Sequence, residues 1–191
     1  MSILVAVVKD GETAIAADCL CSFGDTQIND MDNHSMAKII KSGESYIGYT
    51  GWGKYENILK HYLTKTLNSS LPSLNSEIEV FEFFSKLWKV MEESYGLVNE
   101  QCNRQDDSPF GEMDSSFIVA NKTGIYLVSS HIAVSKFSKF CATGSGSEYC
   151  YGAFDVLYDL NISASEIAQK SVQIAINYDA HCGGKIELFN V

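Results

Sequence analysis

Met1-Ser2 places a serine directly behind the initiator methionine, and loss of Met1 would turn that serine into a chemical unit. Excision is favoured by a small second residue, and it leaves Ser2 with a hydroxyl and a free α-amine. An α-amine titrates at about 7.7 to 8.0, so it can take the hydroxyl proton without a histidine. On these residues alone Ser2 is a candidate nucleophile carrying its own base, although an inert serine behind a start methionine is the commoner case. A retained Met1 would cap the amine and leave the serine inert.

Other chemistry-bearing patterns are weaker. Gly144-Ser145-Gly146-Ser147 stands ahead of a predicted helix and could cradle an anion. It lacks the lysine of a P-loop and the GxGxxG spacing of a dinucleotide site. The six cysteines (Cys19, Cys21, Cys102, Cys141, Cys150, Cys182) contain no CxxC pair, and the four histidines (His34, His61, His131, His181) are scattered. Zinc-type spacing is absent, so neither a metal nor a cofactor is expected. In a reducing compartment the cysteines are thiols packed as small hydrophobes.

The elements that must hold these residues follow from periodicity. Residues 3–8 form a β-rich run reaching the turn dipeptide Asp10-Gly11, and 13–17 return from it as a hairpin. After a polar stretch around 24–35, two strands are predicted at 37–40 and 46–49 about Ser42-Gly43. Helices are predicted at about 54–67 and 77–98, separated by a Ser/Asn/Pro loop at 68–76. In the second helix Val80, Phe84, Leu87, Met91 and Tyr95 recur at helical spacing, one stripe facing a core. Residues 101–114 are polar, carry Pro109 and Gly111, and predict a surface loop.

Strands resume at 116–120 and 125–128, with short ones near 132–134 and 140–143. Two helices follow, at about 148–158 and 163–178, the latter opened by a Ser163-x-x-Glu166 capping box, and 185–189 is a last strand. This order predicts an α+β fold: a four-layer αββα sandwich with two antiparallel sheets between helical layers, in one domain spanning 1–191.

Composition narrows the function classes. The chain has 191 residues, 46% of them hydrophobic, and only 2 prolines, which suits one packed domain without long linkers. It carries 14 Lys plus Arg against 24 Asp plus Glu, a net charge of -10, and shows no basic stripe. Nucleic acid is excluded as a partner on that ground. The charge also disfavours anionic membrane surfaces, and apolar runs such as 3–8 are too short to cross a bilayer. The N-terminus lacks a secretory signal, so a cytoplasmic location is expected.

Three stretches carry a resemblance to a known family. SILVAVVKDGETAIAAD, from Ser2 to Asp18, resembles the opening of proteasome β-subunits and of the bacterial HslV peptidase. TGSGSEYCYG, from Thr143 to Gly152, resembles their glycine-serine segment. YDAHCGG, from Tyr178 to Gly184, resembles their Asp-x-x-Ser-Gly-Gly segment. The likeness spans essentially the whole chain and is nearest to HslV and the small bacterial proteasome homologues, which are N-terminal nucleophile (Ntn) hydrolases.

The resemblance implies a threonine-type endopeptidase with Ser2 as nucleophile, and residue roles come with it. Asp18 would hold Lys38, of Ala37-Lys38-Ile39, charged beside the nucleophile, where it favours the alkoxide and lowers the pKa of the amine. The Gly51 N–H would hold the oxyanion, Ser145 would sit beside the terminal amine, and Asp179 would hydrogen-bond nearby. The family's threonine is Ser2 here, without the methyl that restricts its rotamer. The family's second serine is Cys182, a weaker donor. Also implied are homo-oligomeric rings enclosing the sites, peptide or unfolded-protein substrates, and an ATP-dependent unfoldase as a candidate partner. Two alternatives stay open from the sequence: a catalytically silent ring scaffold, and an amidase acting on a small metabolite.

Overall fold

The computed structural model describes residues 2–23, 26–28, 37–66, 73–96 and 113–191. Met1, most of the predicted polar stretch at 24–35, positions 67–72 and 97–98, and nearly all of the predicted loop at 101–114 lie outside the described residues.

The first hairpin forms as its sequence predicts. Strand β1 (Ile3–Lys9) pairs with β2 (Glu12–Asp18), ending at Lys9↔Glu12. Asp10 and Gly11 close it with φ of 52° and 81°, both left-handed, as a type I′ turn requires. A short β3 (Cys21–Phe23) and β4 (Thr26–Ile28) pair separately, so the predicted polar stretch contains a strand. Then come β5 (Ile39–Ser42), β6 (Ser45–Gly51), helix α1 (Gly53–Thr66) and helix α2 (Glu77–Tyr95). Helix α2 starts at an N-cap Ser76 that accepts from Glu79 N–H and stops at Gly96, with φ 64°.

The second half holds β7 (Ser115–Asn121), β8 (Gly124–Val128), β9 (Val134–Phe137) and β10 (Phe140–Gly144). Helices α3 (Ser147–Leu157) and α4 (Ala164–Tyr178) and strand β11 (Ile186–Asn190) complete the chain. The Ser163–Glu166 capping box is present at α4. The strand predicted at 132–134 sits at 134–137 instead. Ile132 lies in the preceding turn with φ 56°, and its side chain packs on the core beneath α1 and α2. An apolar residue spent on a turn in this way mimics a strand in sequence.

One sheet runs β10-β1-β2-β11 and the other β5-β6-β7-β8-β9, with every pairing antiparallel. Alternation sorts their side chains into layers. Ile3, Val5 and Val7 join Phe154, Ile167 and Val172 of α3 and α4, whereas Leu4 and Ala6 meet Ile118, Ala120 and Ile125 of the opposite sheet. On that sheet Phe117, Val119 and Tyr126 face Phe84, Leu87 and Met91 of α2. A one-residue slip of β1 would exchange its two faces, so the register is fixed by burial on both. The layers run α3/α4, sheet, sheet, α1/α2, as the αββα expectation requires. No helix among the described residues is long and apolar enough to cross a membrane.

Candidate active site

The site assembles at the start of β1. Ser2 stands just before the strand and is buried, and the register Leu4↔Ala17 sets Asp18, the last residue of β2, opposite Ile3. The Ile3 N–H donates to Asp18 Oδ1 at 3.0 Å, so the residue after Ser2 is tied directly to this carboxylate.

Three further donors converge on Asp18. Lys38 Nζ donates to Oδ1 at 2.6 Å, while Leu20 N–H and Gly183 N–H donate to Oδ2 at 3.3 and 3.0 Å. The Asp18 and Lys38 side chains are 0% and 6% exposed, so this is a desolvated ion pair. A carboxylate offers about four lone-pair sites, and all the surrounding donors are oriented towards it. Such a pair is held by geometry and hydrogen bonding, because Coulomb attraction alone barely offsets desolvation.

The backbone of Lys38 is clamped as well. Its N–H donates to Glu187 Oε2 at 2.8 Å, and its carbonyl accepts from Tyr49 N–H at 3.1 Å. Glu187 thus reaches from β11 in one sheet to the entry of β5 in the other. Burial pushes its carboxyl up, against the opposing pull of the Lys38 and Ile39 N–H groups and the Lys38 charge. The clamp also explains why β5 begins at Ile39 and not at the predicted Ala37: the Lys38 N–H is taken by a side chain, not by the ladder.

On the other side of Ser2 lies the turn after β10. The position a Cβ on Gly144 would occupy is 2.1 Å from the Ser2 carbonyl oxygen and 3.2 Å from Thr50 Cγ2. Gly144 also has φ 108°, so only glycine lets β10, Ser2 and the end of β6 meet this closely. Gly51 is the last residue of β6, next to that junction.

Ser145 is exposed, and its Oγ lies 3.4 Å from the Ser2 carbonyl and 4.0 Å from Cys182 Sγ. Cys182 donates to Asp179 Oδ2 at 3.2 Å, filling by a thiol the place where the family pattern has a serine. Partial burial works against the Asp179 charge, yet hydrogen bonds from Ser145, His181 N–H and Cys182, and the nearby His181, hold its carboxyl below the usual range. Burial, then the Asp18 and Asp179 charges, push the Cys182 thiol far up.

The structure places Asp18, with Lys38 bonded to it, against the Ile3 N–H, Ser145 near the Ser2 carbonyl with Asp179 beyond it, and Gly51 next to the Thr50 that Gly144 approaches. Sequence reasoning missed Glu187 and the Gly183 N–H. An acidic residue in a strand between Ile186 and Leu188 is a signal that it has a partner, but the partner lies 149 residues away. Among the described residues no three His, Cys, Asp or Glu side chains gather as a metal site needs. Cys19, Cys21, Cys141, Cys150 and Cys182 are not joined in disulfides, and burial pushes the Cys141 and Cys150 thiols up to about 12.

No family model matches the chain. The ATP-dependent protease subunit HslV of Treponema denticola is 26% identical over 96% of this chain and 92% of its own. The Thiobacillus denitrificans protein BPH, solved in complex with epoxomicin, superposes with a TM-score of 0.89 at 29% identity, covering 99% of this chain and 97% of that one. Eukaryotic HslV from Trypanosoma brucei shares the fold, with a TM-score of 0.65 at 18% identity over 98% of both chains. Sequence and architecture agree from one end to the other, in step with the three motif stretches, and the chain is similar over its whole length to the HslV-like, proteasome-type Ntn hydrolases.

Proposed function

We propose that the chain is a proteasome-like peptidase subunit that hydrolyses peptide bonds with Ser2 as its N-terminal nucleophile once Met1 is removed. The observation that carries this reading is the buried Asp18–Lys38 pair bonded to the Ile3 N–H, one residue from the hydroxyl. A desolvated cation held beside a terminal amine lowers the pKa of that amine, so more of it is unprotonated and able to take a proton near neutral pH.

Ser2 Oγ attacks the peptide carbonyl carbon while its proton passes to the α-amine of the same residue. The oxyanion of the tetrahedral intermediate is received by Gly51 N–H, and Lys38 stabilises the developing negative charge. The C–N bond breaks, the ammonium returns its proton to the leaving amine, and an ester to Ser2 remains. Water, deprotonated by the same amine, attacks the ester; the C–O bond breaks, the acid leaves, and the Ser2 hydroxyl is restored. Ser145 and Asp179 keep the amine oriented, with Cys182 linking them.

Residues 1–191 act as one domain. The Treponema denticola relative is named a subunit of an ATP-dependent protease, and we extend that to this chain: a cytoplasmic homo-oligomer enclosing its sites, supplied with unfolded protein by an ATP-driven unfoldase. Intact mass with peptide hydrolysis tests the core claim. Protein made in its own cells lacks the mass of Met1, and Ser2→Ala abolishes hydrolysis while leaving assembly intact. Epoxomicin, the compound bound by the Thiobacillus denitrificans relative, adds its mass to the N-terminal peptide. Normal cleavage by protein that retains Met1, or by Ser2→Ala, would sink the proposal.

A further inference from the structure

We infer that Ser115 is a positioning residue for the oxyanion site: its buried hydroxyl fixes the Thr50–Gly51 peptide so that the Gly51 N–H faces the reacting carbonyl. The inference rests on the reading that Gly51 N–H receives the oxyanion.

The direction of that N–H follows from the ladder. The pairs Ser42↔Ser45 and Asn121↔Gly124 close the β5–β6 and β7–β8 hairpins over tight turns. In an antiparallel sheet, residues turn their polar groups to one neighbour and then the other. Counting from Ser45, residues 47, 49 and 51 face β5, and residues 46, 48 and 50 face β7. The bond from Tyr49 N–H to the Lys38 carbonyl agrees. Among the described residues the β5–β6 register ends at Ile39↔Gly48, and the Gly51 N–H lies beyond that pair on the edge that carries Lys38.

Thr50 C=O and Gly51 N–H are the two ends of one planar trans peptide and point in opposite directions. Whatever holds the carbonyl therefore aims the N–H, and the Ser115 hydroxyl adds to the ladder bond that the Thr50↔Ser116 pairing provides. Ser115 Oγ donates to Thr50 O at 2.5 Å, and Ser115 is 5% exposed, so water does not compete. The lock is needed because Gly51, with φ 113°, is free to rotate in a way other residues are not. It must be glycine, since a Cβ there would lie 2.1 Å from the Asp114 carbonyl oxygen. A hydroxyl donating to the carbonyl also polarises the peptide, which makes its N–H a stronger donor to an anion.

The test uses the assembled protein beginning at Ser2. Ser115→Ala lowers kcat about tenfold with KM within about twofold, a fraction of what loss of a whole oxyanion donor costs. Affinity for a peptide boronate, whose tetrahedral adduct places an oxygen in the oxyanion position, falls by the same factor, whereas affinity for a product peptide is unchanged. A merely structural serine would not separate those two affinities. Ser115→Thr and Ser115→Val have nearly the same shape and differ by the hydroxyl, so Thr exceeds Val in kcat even if the Ala variant folds poorly. Wild-type kcat in Ser115→Ala, a boronate affinity that does not follow kcat, or equal Thr and Val variants would overturn the inference while an inactive Ser2→Ala left the parent reading standing. Full activity in Ser2→Ala would remove both.

Discussion

Behind Ser2, the fully buried Asp18 carboxylate takes four donors at 2.6 to 3.3 Å, drawn from β1, the turn after β2, the entry of β5 and the turn before β11. In front of it, exposed Ser145 and half-buried Asp179 flank the buried Cys182 thiol, with contacts of 3.2 to 4.0 Å. The first region is a closed charge cluster in which every group depends on another. The second is partly solvated, and water can replace what a substitution removes. Ser2, the proposed nucleophile, is thus held by a rigid side and an adjustable one, and their responses to mutation should differ accordingly.

The largest effect is expected from breaking the rigid side. Lys38→Met leaves the Asp18 carboxylate buried without its cation, which destabilises by about 3 kcal/mol and removes activity at least about a hundredfold by the same loss of charge near the nucleophile. Chemical denaturation and peptide hydrolysis read the two losses separately. Asp18→Asn in the Lys38→Met background recovers most of the stability, because no unpaired charge is left, but none of the activity. Failure of the double variant to regain stability would mean that the pair is not an isolated electrostatic unit.

An intermediate effect belongs to the adjustable side. Ser145→Ala removes the hydroxyl facing the Ser2 carbonyl and lowers kcat about tenfold, with a stability change within about 0.5 kcal/mol, as for an exposed side chain. A stability loss as large as that of Lys38→Met would erase the contrast between the sides.

Smaller still is the effect at Cys182. Cys182→Ser offers a stronger donor to Asp179 and changes kcat by no more than about threefold, in the upward direction. A loss beyond tenfold would show that the thiol is required in its own right.

The smallest effect concerns acid. Because the Asp179 carboxyl is held below its ordinary value, its share of stability is present above about pH 4 and is lost as pH falls through the depressed value. Asp179→Asn therefore flattens the fall of Tm between about pH 6 and about pH 3. The remaining acid sensitivity then belongs to other carboxylates.

Sequence and structure diverge most where chemistry is shared between distant segments. The Asp10-Gly11 turn, the Ser163–Glu166 capping box and the apolar stripe of α2 are local and were legible. Ile132 misled because an apolar side chain can pack from a turn as well as from a strand. Lys38 was legible as a motif position, yet nothing local shows that its N–H is taken by Glu187 or that its ammonium is buried. Ser115 gave no signal at all, since a serine opening a strand is commonplace.

The amino-acid sequence by itself determined the order of strands and helices, their amphipathic faces and the family motifs, because periodicities of two and 3.6 residues are written along the chain. Only the tertiary structure decided which donors surround Asp18, which carbonyl Ser115 holds and how far Gly144 lets Ser2 approach Thr50. Those contacts join segments far apart in sequence. Their distances depend on sheet register, twist and layer packing acting together, and no local pattern encodes that sum.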